Sequence, residues 1–531
     1  MRTICRQLAG SLQASALAGA LMAGATAPLG LGPVVFVALV PFLLGALGAG
    51  SARRGAAHGA VCGTAFFGLG FLWVPLGVGG PVLWAAFALG VPLLALPLAA
   101  LGAALAVGAR RAGAACALAA FPAAWVALET LRASGPLGTP WLRLGDALAT
   151  WPALAQPAAL GGVALLSGWA AAANAALAFA VLAPHALQRQ VAALALIGGP
   201  ALAGAERLAA ADASLGAGPA AVRVAAVQPD VPSRERHAPA RFDTNLGRLL
   251  ALSRAAGEAG ADLLVWPEGA FERTGDRRGD LFLGTIANHL ATPIVAGLRR
   301  ATSDGSRERW NSVALATPGG DTRIAGDKVR PVPLYERAPD TRFARRLARA
   351  GWWPGNVRPA PEPGLVDVPL ADGARLRAGI LLCIDSAHPD LARGLRRRGA
   401  SLLLSPANEA ESGPWSARQH AAIARLRAIE VGLPLVRAAN TGPSTWIDAY
   451  GRETARIEAG TRAMRVAPAG APAPITPYAR WGVGPAWLGL LAPAALAALR
   501  HRCRQGIRSC SGAQQTLAPP STPETSRGEW A

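Results

Sequence analysis

Apolar positions are unevenly spread along the 531-residue chain. From about Leu8 to Gly204 they form long, almost uncharged runs, and one further run covers roughly Trp481 to Leu499. A run of about 18 or more apolar residues can cross a bilayer as a helix. Seven such runs are read in the first part, near 9–28, 31–49, 58–77, 80–107, 113–131, 158–184 and 189–205, and the run near 481–499 makes eight. Proline and glycine inside them are compatible with membrane helices, where neighbouring groups re-satisfy the freed backbone.

The middle of the chain has a different pattern. Val222–Val227 reads as a strand, Phe242–Ala259 has helical apolar spacing, and Asp262–Trp266 is an apolar strand running into Pro267-Glu268-Gly269. A helix over Leu281–Leu290 and a strand over Pro293–Gly297 follow. Asn311–Thr317 and Thr322–Gly326 form a hairpin pattern with Gly319-Gly320 at its turn. Further strands are predicted over Leu376–Leu382, Ser401–Leu404, Leu433–Ala438 and Ser444–Asp448, and helices over Pro389–Arg398 and Trp415–Val431. This alternation predicts a layered α/β domain with a largely buried sheet. The expected organisation is a seven-span part over 1–206, an Ala/Gly/Ser linker over 207–218 and a globular domain over 219–470. A C-terminal membrane helix over 476–500 and a Ser/Thr/Pro/Gln-rich disordered tail over 501–531 complete it.

Composition agrees with a membrane protein, since 52% of the residues are hydrophobic. Arginine placement then orients it. Arg2 and Arg6, Arg53 and Arg54, Arg110 and Arg111, Arg189, and Arg500 to Arg508 all fall on one side if eight spans are counted. That side is the cytoplasm, which puts both termini there and exports the globular domain. A cleaved signal peptide is the competing reading of residues 1–28, but the apolar stretch is long and more spans follow at once. The net charge of +20 suggests nucleic acid as a partner, yet no recognition motif accompanies it. Arginine-rich cytoplasmic loops facing anionic headgroups account for the charge better.

Candidate chemistry rests on two singular residues. Lys328 is the only lysine, so 51 of the 52 cationic side chains are arginine. An ammonium kept at one place suggests a task that needs a compact cation. Cys383 is the single cysteine of the globular segment and has no partner there for a disulfide. It is either a buried, inert thiol or a working one. Glu268 and Cys383 both follow predicted central strands, the edge at which layered α/β domains collect ligand sites. Glu268 as base, Lys328 as cation and Cys383 as nucleophile suffice for acyl transfer through a thioester. Taken singly, Glu268 also reads as a solvated turn carboxylate, and Lys328 as a surface partner of Asp327.

These residues lie in motifs that resemble a known family. The globular segment resembles a nitrilase-superfamily domain, and residues 1–500 resemble the apolipoprotein N-acyltransferases. The motifs are WVALETLR (125–132), GTPWLRLG (138–145), AAVQPDVP (225–232), LLVWPEG (263–269), DKVRPVPLYERAP (327–339) and ILLCID (380–385). A long block over 413–442 and TPYAR (476–480) complete them. The resemblance implies a multi-span α-helical membrane domain plus a nitrilase-like αββα sandwich.

It also implies a catalytic triad of Glu268, Lys328 and Cys383, with Glu336 and Asp385 in support and Trp415, His237 and Asn408 toward substrate. No metal or cofactor is implied. The implied reaction takes an acyl chain from a phospholipid such as phosphatidylethanolamine and passes it to the amino-terminal diacylglyceryl-cysteine of a lipoprotein. The implied place is the bacterial inner membrane, with the catalytic domain on the periplasmic side. Arg132, Trp141, Arg143 and Trp415 are candidates for the headgroup side of the entrance, or interfacial anchors. The sequence departs from the family at Ile384-Asp385, where Tyr-Glu is usual. It departs again in the short segment Asn408-Glu409-Ala410-Glu411, and near His237, where the family has a tryptophan. A membrane-anchored amidase and a non-catalytic lipid- or lipoprotein-binding paralogue are the alternatives. A transporter would need ionisable residues along a pathway, and few are seen beyond Glu129 and Arg132.

Overall fold

The computed structural model describes residues 11–492 except 78, 136, 183–186, 215–221, 237, 271–276, 305–307, 334, 338–341, 343–345 and 347–355, together with residue 495. The first helix, α1 (Leu12–Ala25), starts at Ser11, whose hydroxyl accepts from the Ala14 N–H. It ends before Pro28, which lacks an N–H, and Gly30, which takes a left-handed φ of 66°. A 3₁₀ turn over Gly32–Phe36 and α2 (Val40–Gly48) follow. The first two expected spans are therefore helices of fewer than 18 residues.

Five helices among the described residues are long and apolar enough to cross a membrane: Ala52–Gly77, Leu83–Ala112, Ala114–Arg132, Ala158–Leu182 and Leu187–Asp212. They contain α3 (Ala52–Gly70), α4 (Pro81–Ala112), α5 (Ala114–Arg132), α6 (Ala158–Leu182) and α7 (Leu187–Ser214). Because α7 continues to Ser214, residues 207–214 of the expected linker are helical. Their alanine-rich sequence favours helix more than a flexible connection. The expected C-terminal helix begins as two pieces, 477–481 and 484–492, separated at Gly482. The tail over 501–531 lies outside the described residues.

Small residues let the apolar helices approach closely. A Cβ on Gly59 of α3 would stand 1.9 Å from the Leu98 carbonyl oxygen of α4. At Gly161-Gly162 α6 breaks, and the ring of Tyr478 packs where a Gly162 side chain would be.

The globular half contains two six-stranded sheets. One has the order β12-β1-β2-β3-β4-β5 and the other β11-β10-β9-β8-β7-β6. The strands of the first are β1 (Arg223–Gln228), β2 (Leu263–Val265), β3 (Ile294–Ala301), β4 (Arg309–Ala316), β5 (Thr322–Asp327) and β12 (Ala463–Pro468). Those of the second are β6 (Leu365–Pro369), β7 (Arg375–Ile380), β8 (Leu402–Ala407), β9 (Leu435–Ala439), β10 (Ser444–Ile447) and β11 (Glu453–Ile457). β1, β2 and β3 are parallel, as are β7, β8 and β9, and the remaining pairings are antiparallel.

Alternation along the strands builds the layers. Val224 and Ala226 point into the core between the sheets, where they meet residues such as Leu404, Val436 and Trp446. Ala225 and Val227 point the other way, under α8 (Phe242–Glu258) and α9 (Arg277–Leu290). Leu403 faces α10 (Pro389–Arg397) and α11 (Gly413–Val431) on the opposite outer side. This is the αββα sandwich.

Helix α11 also joins the two halves. Ala424, Ala428 and Val431 pack on the sheet. Ala422, Ile423, Leu426 and Ile429 belong to the apolar core of the helical half. The Glu430 carboxylate accepts from the Val163 N–H at 2.8 Å, capping the part of α6 that restarts after its glycine break.

Candidate active site

Four connections at strand ends converge on one point. β2 runs into Trp266-Pro267-Glu268, β5 into Lys328, β7 into Cys383 and β8 into Asn408-Glu409. The ends of parallel strands leave backbone and side chains free to face a ligand. Glu268 is 6% exposed and Lys328 1% exposed. The Lys328 ammonium donates to Glu268 Oε1 at 2.9 Å and to Glu336 Oε1 at 2.7 Å. Asn311 of β4 donates to Glu268 Oε1 at 2.7 Å. The Val332 N–H donates to Glu336 Oε2 at 2.7 Å and so holds that carboxylate toward the lysine.

Cys383 opens a 3₁₀ turn over Cys383–Ala387 with φ of 51°. Left-handed backbone at a cysteine is strained, and such strain gathers at functional sites. Cys383 is buried, and its thiol is close enough to Glu268 for each to act on the other's proton affinity. The Asn408 backbone N–H favours the Cys383 anion.

The charges fall into a definite pattern. Burial works against the Glu268 anion, but the Lys328 ammonium and the interactions with Lys328 and Cys383 hold its pKa below the ordinary carboxyl range. Burial likewise works against the Lys328 cation, and the Glu268 and Glu336 carboxylates lift it well above the ordinary lysine value. Burial and the Glu268 charge push the Cys383 thiol well up, with Lys328 opposing. The resting set is thus a thiol against a carboxylate that is itself clamped by an ammonium. Such a set moves a proton from sulfur to carboxylate as the sulfur attacks a carbonyl.

The other expected residues are placed as follows. Asp385 is buried and accepts from the backbone N–H groups of Val329, at 3.2 Å, and Arg330, at 2.8 Å. It thereby fixes the chain just after Lys328. Burial raises its carboxyl to about 7 against the pull of Lys328. The Asn408 side chain accepts from Asn440 at 3.2 Å and from the Ala410 N–H at 3.1 Å. Trp415 stands half-buried in the first turn of α11, and its indole N–H makes no hydrogen bond to the site. His237 lies outside the described residues. Trp141 and Arg143 are 7% and 9% exposed, in the interior between the two halves. A cleft opens beside Glu268, with Phe242, Leu246 and Leu249 of α8 as an apolar wall and Arg236 and Asn408 as polar lining.

Sequence reasoning missed the groups behind the cysteine. His420 Nδ1 lies 2.7 Å from Glu409 Oε1, and the Arg437 guanidinium donates to the same oxygen. His420 Nε2 lies 3.0 Å from the Cys383 carbonyl oxygen and 2.8 Å from Ser386 Oγ. The available signal was an ionisable residue inside an apolar element: Arg437 in Leu435–Ala439, and His420 among the alanines of α11. Cys383 Sγ, a Glu409 oxygen and a His420 nitrogen lie within 4.8 Å of one another. Arg437 already supplies the cation at Glu409, so the cluster reads as an ion-pair network and not as a metal site.

Burial opposes the Glu409 charge, yet Arg437 and His420 hold its carboxyl down to about 2. A depressed carboxyl contributes stability above its unfolded value of ~4.3, and the contribution is lost as pH falls toward about 2. Arg437→Met strands a buried carboxylate and is expected to cost about 3–5 kcal/mol. Adding Glu409→Leu should restore most of that loss, because the uncompensated charge is then gone. Denaturation of the three chains in detergent checks this, and an unshifted Arg437→Met midpoint contradicts it.

Comparison with known proteins follows the two halves. The family model described as apolipoprotein N-acyltransferase N-terminal domain matches residues 18–176, and that described as carbon-nitrogen hydrolase matches residues 223–474. The apolipoprotein N-acyltransferase of Geobacter metallireducens is 30% identical over 452 residues, covering 82% of this chain and 84% of that one. The apolipoprotein N-acyltransferase of Bradyrhizobium diazoefficiens is 32% identical over 527 residues, covering 91% and 94%. Among solved structures, an amidase from Nesterenkonia sp. is 19% identical and covers 47% of this chain and 91% of its own, with a TM-score of 0.34.

Proposed function

The chain belongs to the apolipoprotein N-acyltransferase family and is an acyltransferase, and from that premise we propose that it carries an acyl group from a phospholipid, through a thioester on Cys383, to the amino-terminal diacylglyceryl-cysteine of a lipoprotein. The observation that carries this reading is the buried Lys328 ammonium held between Glu268 and Glu336, with the Cys383 thiol against Glu268.

In the first step Glu268 accepts the thiol proton while Sγ bonds to the ester carbonyl carbon. The Lys328 ammonium stabilises the negative oxygen of the tetrahedral intermediate. As the C–O bond breaks, Glu268 returns the proton to the departing oxygen. A lysophospholipid leaves and the acyl group remains on sulfur. In the second step the lipoprotein amine attacks the thioester and loses a proton to Glu268. The C–S bond breaks, the proton returns to sulfur, and the amide product leaves with the thiol restored.

Five long apolar helices suit substrates that are themselves embedded in a bilayer. The donor we propose is phosphatidylethanolamine-like. The place we propose is the bacterial inner membrane, with the sandwich on the periplasmic side and both termini in the cytoplasm. If α1 and the 32–48 segment cross as a pair or not at all, the arginine-based orientation is unchanged by their shortness.

Intact-mass measurement of the full chain with phosphatidylethanolamine in mixed micelles tests the reaction. The expected product is a single acyl adduct on Cys383 that a diacylated lipopeptide discharges and water does not. Rapid discharge by water would identify an amidase or esterase instead. A lack of adduct with lipopeptide turnover also missing would leave only a lipid-binding protein.

A further inference from the structure

The reaction above makes no use of WVALETLR (125–132) or GTPWLRLG (138–145), yet both segments lead to the nucleophile. Glu129 is 7% exposed, and its Oε1 accepts from the Trp125 indole at 2.8 Å and from the Leu144 N–H at 2.7 Å. Arg132 donates to the carbonyl oxygens of Thr139 at 2.9 Å, of Leu142 at 3.1 Å and of Trp141. One carboxylate and one guanidinium of α5 therefore fold the 139–144 loop back on their own helix. Leu142 takes a φ of 56° within it.

That loop presents Trp141 to the globular half. Its indole N–H donates to Gln419 Oε1 at 2.7 Å, and its ring centroid lies 5.5 Å from that of His420. Trp73 donates to the same Gln419 oxygen at 3.1 Å. His420 in turn faces the Cys383 carbonyl oxygen and Ser386 Oγ, and Ser386 donates to that carbonyl at 2.8 Å. An unbroken series of direct contacts runs from a membrane helix to the backbone of the cysteine.

We infer that Trp141, seated by Glu129 and Arg132, and His420 are positioning residues for Cys383. The helical half holds His420, and His420 holds the carbonyl and left-handed backbone that turn the thiol toward Glu268. The inference rests on Cys383 being the nucleophile. Its physical basis is that φ of 51° is unfavourable for cysteine, so the conformation persists only while its surroundings impose it. Relaxation of that backbone would swing the sulfur off Glu268 and Lys328. On this reading the apolar half does more than anchor an enzyme in the bilayer; it completes the geometry of the site.

The test uses the full-length chain in phosphatidylethanolamine mixed micelles. Single-turnover acylation of Cys383 is followed by intact mass. Alkylation of Cys383 by iodoacetamide across pH is followed by peptide mass. Trp141→Ala and His420→Ala are expected to slow acylation about 100-fold, the scale set by ångström misplacement of a reacting group. The lipid concentration for half-maximal rate should stay put, while the pH profile of alkylation moves. His420→Gln, whose amide reaches toward the Cys383 carbonyl, should recover about a tenth of the wild-type rate. Trp141→Phe keeps a ring against His420 and loses only the indole N–H. It decides the matter if the alanine chain does not fold, and it should acylate about 10-fold more slowly. Wild-type acylation rates and an unmoved alkylation profile in these variants overturn the inference. Acyl transfer by a wild-type chain that never acylates Cys383 overturns instead the reading on which it rests.

Discussion

Cys383→Ala is expected to fold as the wild type does and to form no acyl adduct. The strained backbone is indifferent to the change, because cysteine and alanine both carry a Cβ at φ of 51°. The buried thiol is uncharged at rest, so its removal strands no ion and costs about 1 kcal/mol of packing. Glu268 and Lys328 keep their mutual hydrogen bond. The chemistry has no substitute: water held near Glu268 forms no thioester to pass to an amine. Loss of a nucleophile costs on the order of 10⁶-fold in rate. Intact mass and lipopeptide turnover, measured beside the thermal midpoint, check both halves of the expectation. Residual transfer well above background in a folded Cys383→Ala chain would remove the thioester from the mechanism.

Lys328→Arg is expected to keep the positive charge and still lose activity about 10³-fold. The ammonium sits at 1% exposure between two carboxylates, 2.9 Å from Glu268 and 2.7 Å from Glu336. A guanidinium is planar and bulkier, and its donors lie in a rigid fork. Placing it in a pocket sized for one nitrogen displaces a carboxylate or the chain after β5. The 60-residue separation of Glu268 and Lys328 means that the displacement is felt between two strand ends, not along one loop. Acylation rate and the pH dependence of Cys383 alkylation are the measurements. With the cation misplaced, Glu268 loses the interaction that keeps its carboxyl low, and the profile moves accordingly. Full activity of the arginine chain would show that a compact cation is not what the site requires.

Much of the fold was legible because its elements are governed by local pattern. The β4–β5 hairpin, α8 and α11 lie close to where periodicity puts them, since each needs only one buried face. The strands β6, β11 and β12 escaped prediction. They are edge or near-edge strands with mixed burial, and their apolar alternation is weak. The first two spans came out short for a related reason. A run of apolar residues fixes hydrophobicity, but the break at Pro28 and Gly30 decides where helix stops.

The site divides along the same line. Glu268, Lys328 and Cys383 were each ambiguous alone and stood out together, through a sole lysine, a lone cysteine and their places after strands. Asn311, Glu409, His420 and Arg437 did not, because nothing local marks a polar residue whose partner comes from another element. Asp385, expected in support of the triad, accepts from the backbone just after Lys328. Trp141 and Arg143, candidates for the headgroup side of an entrance or for interfacial anchors, are buried between the halves.

Residue chemistry and spacing by themselves determined that this chain has an apolar helical half, a layered α/β half and the parts of a cysteine nucleophile. Hydrophobic period and side-chain type are properties that a linear string carries. Only the tertiary structure decided that α11 is shared by both halves, that Asn311 joins the carboxylate–ammonium pair, and that a tryptophan of the helical half stands behind the cysteine. These are contacts between elements far apart in sequence, and they depend on directions and distances of a few ångströms that exist only once the layers have packed.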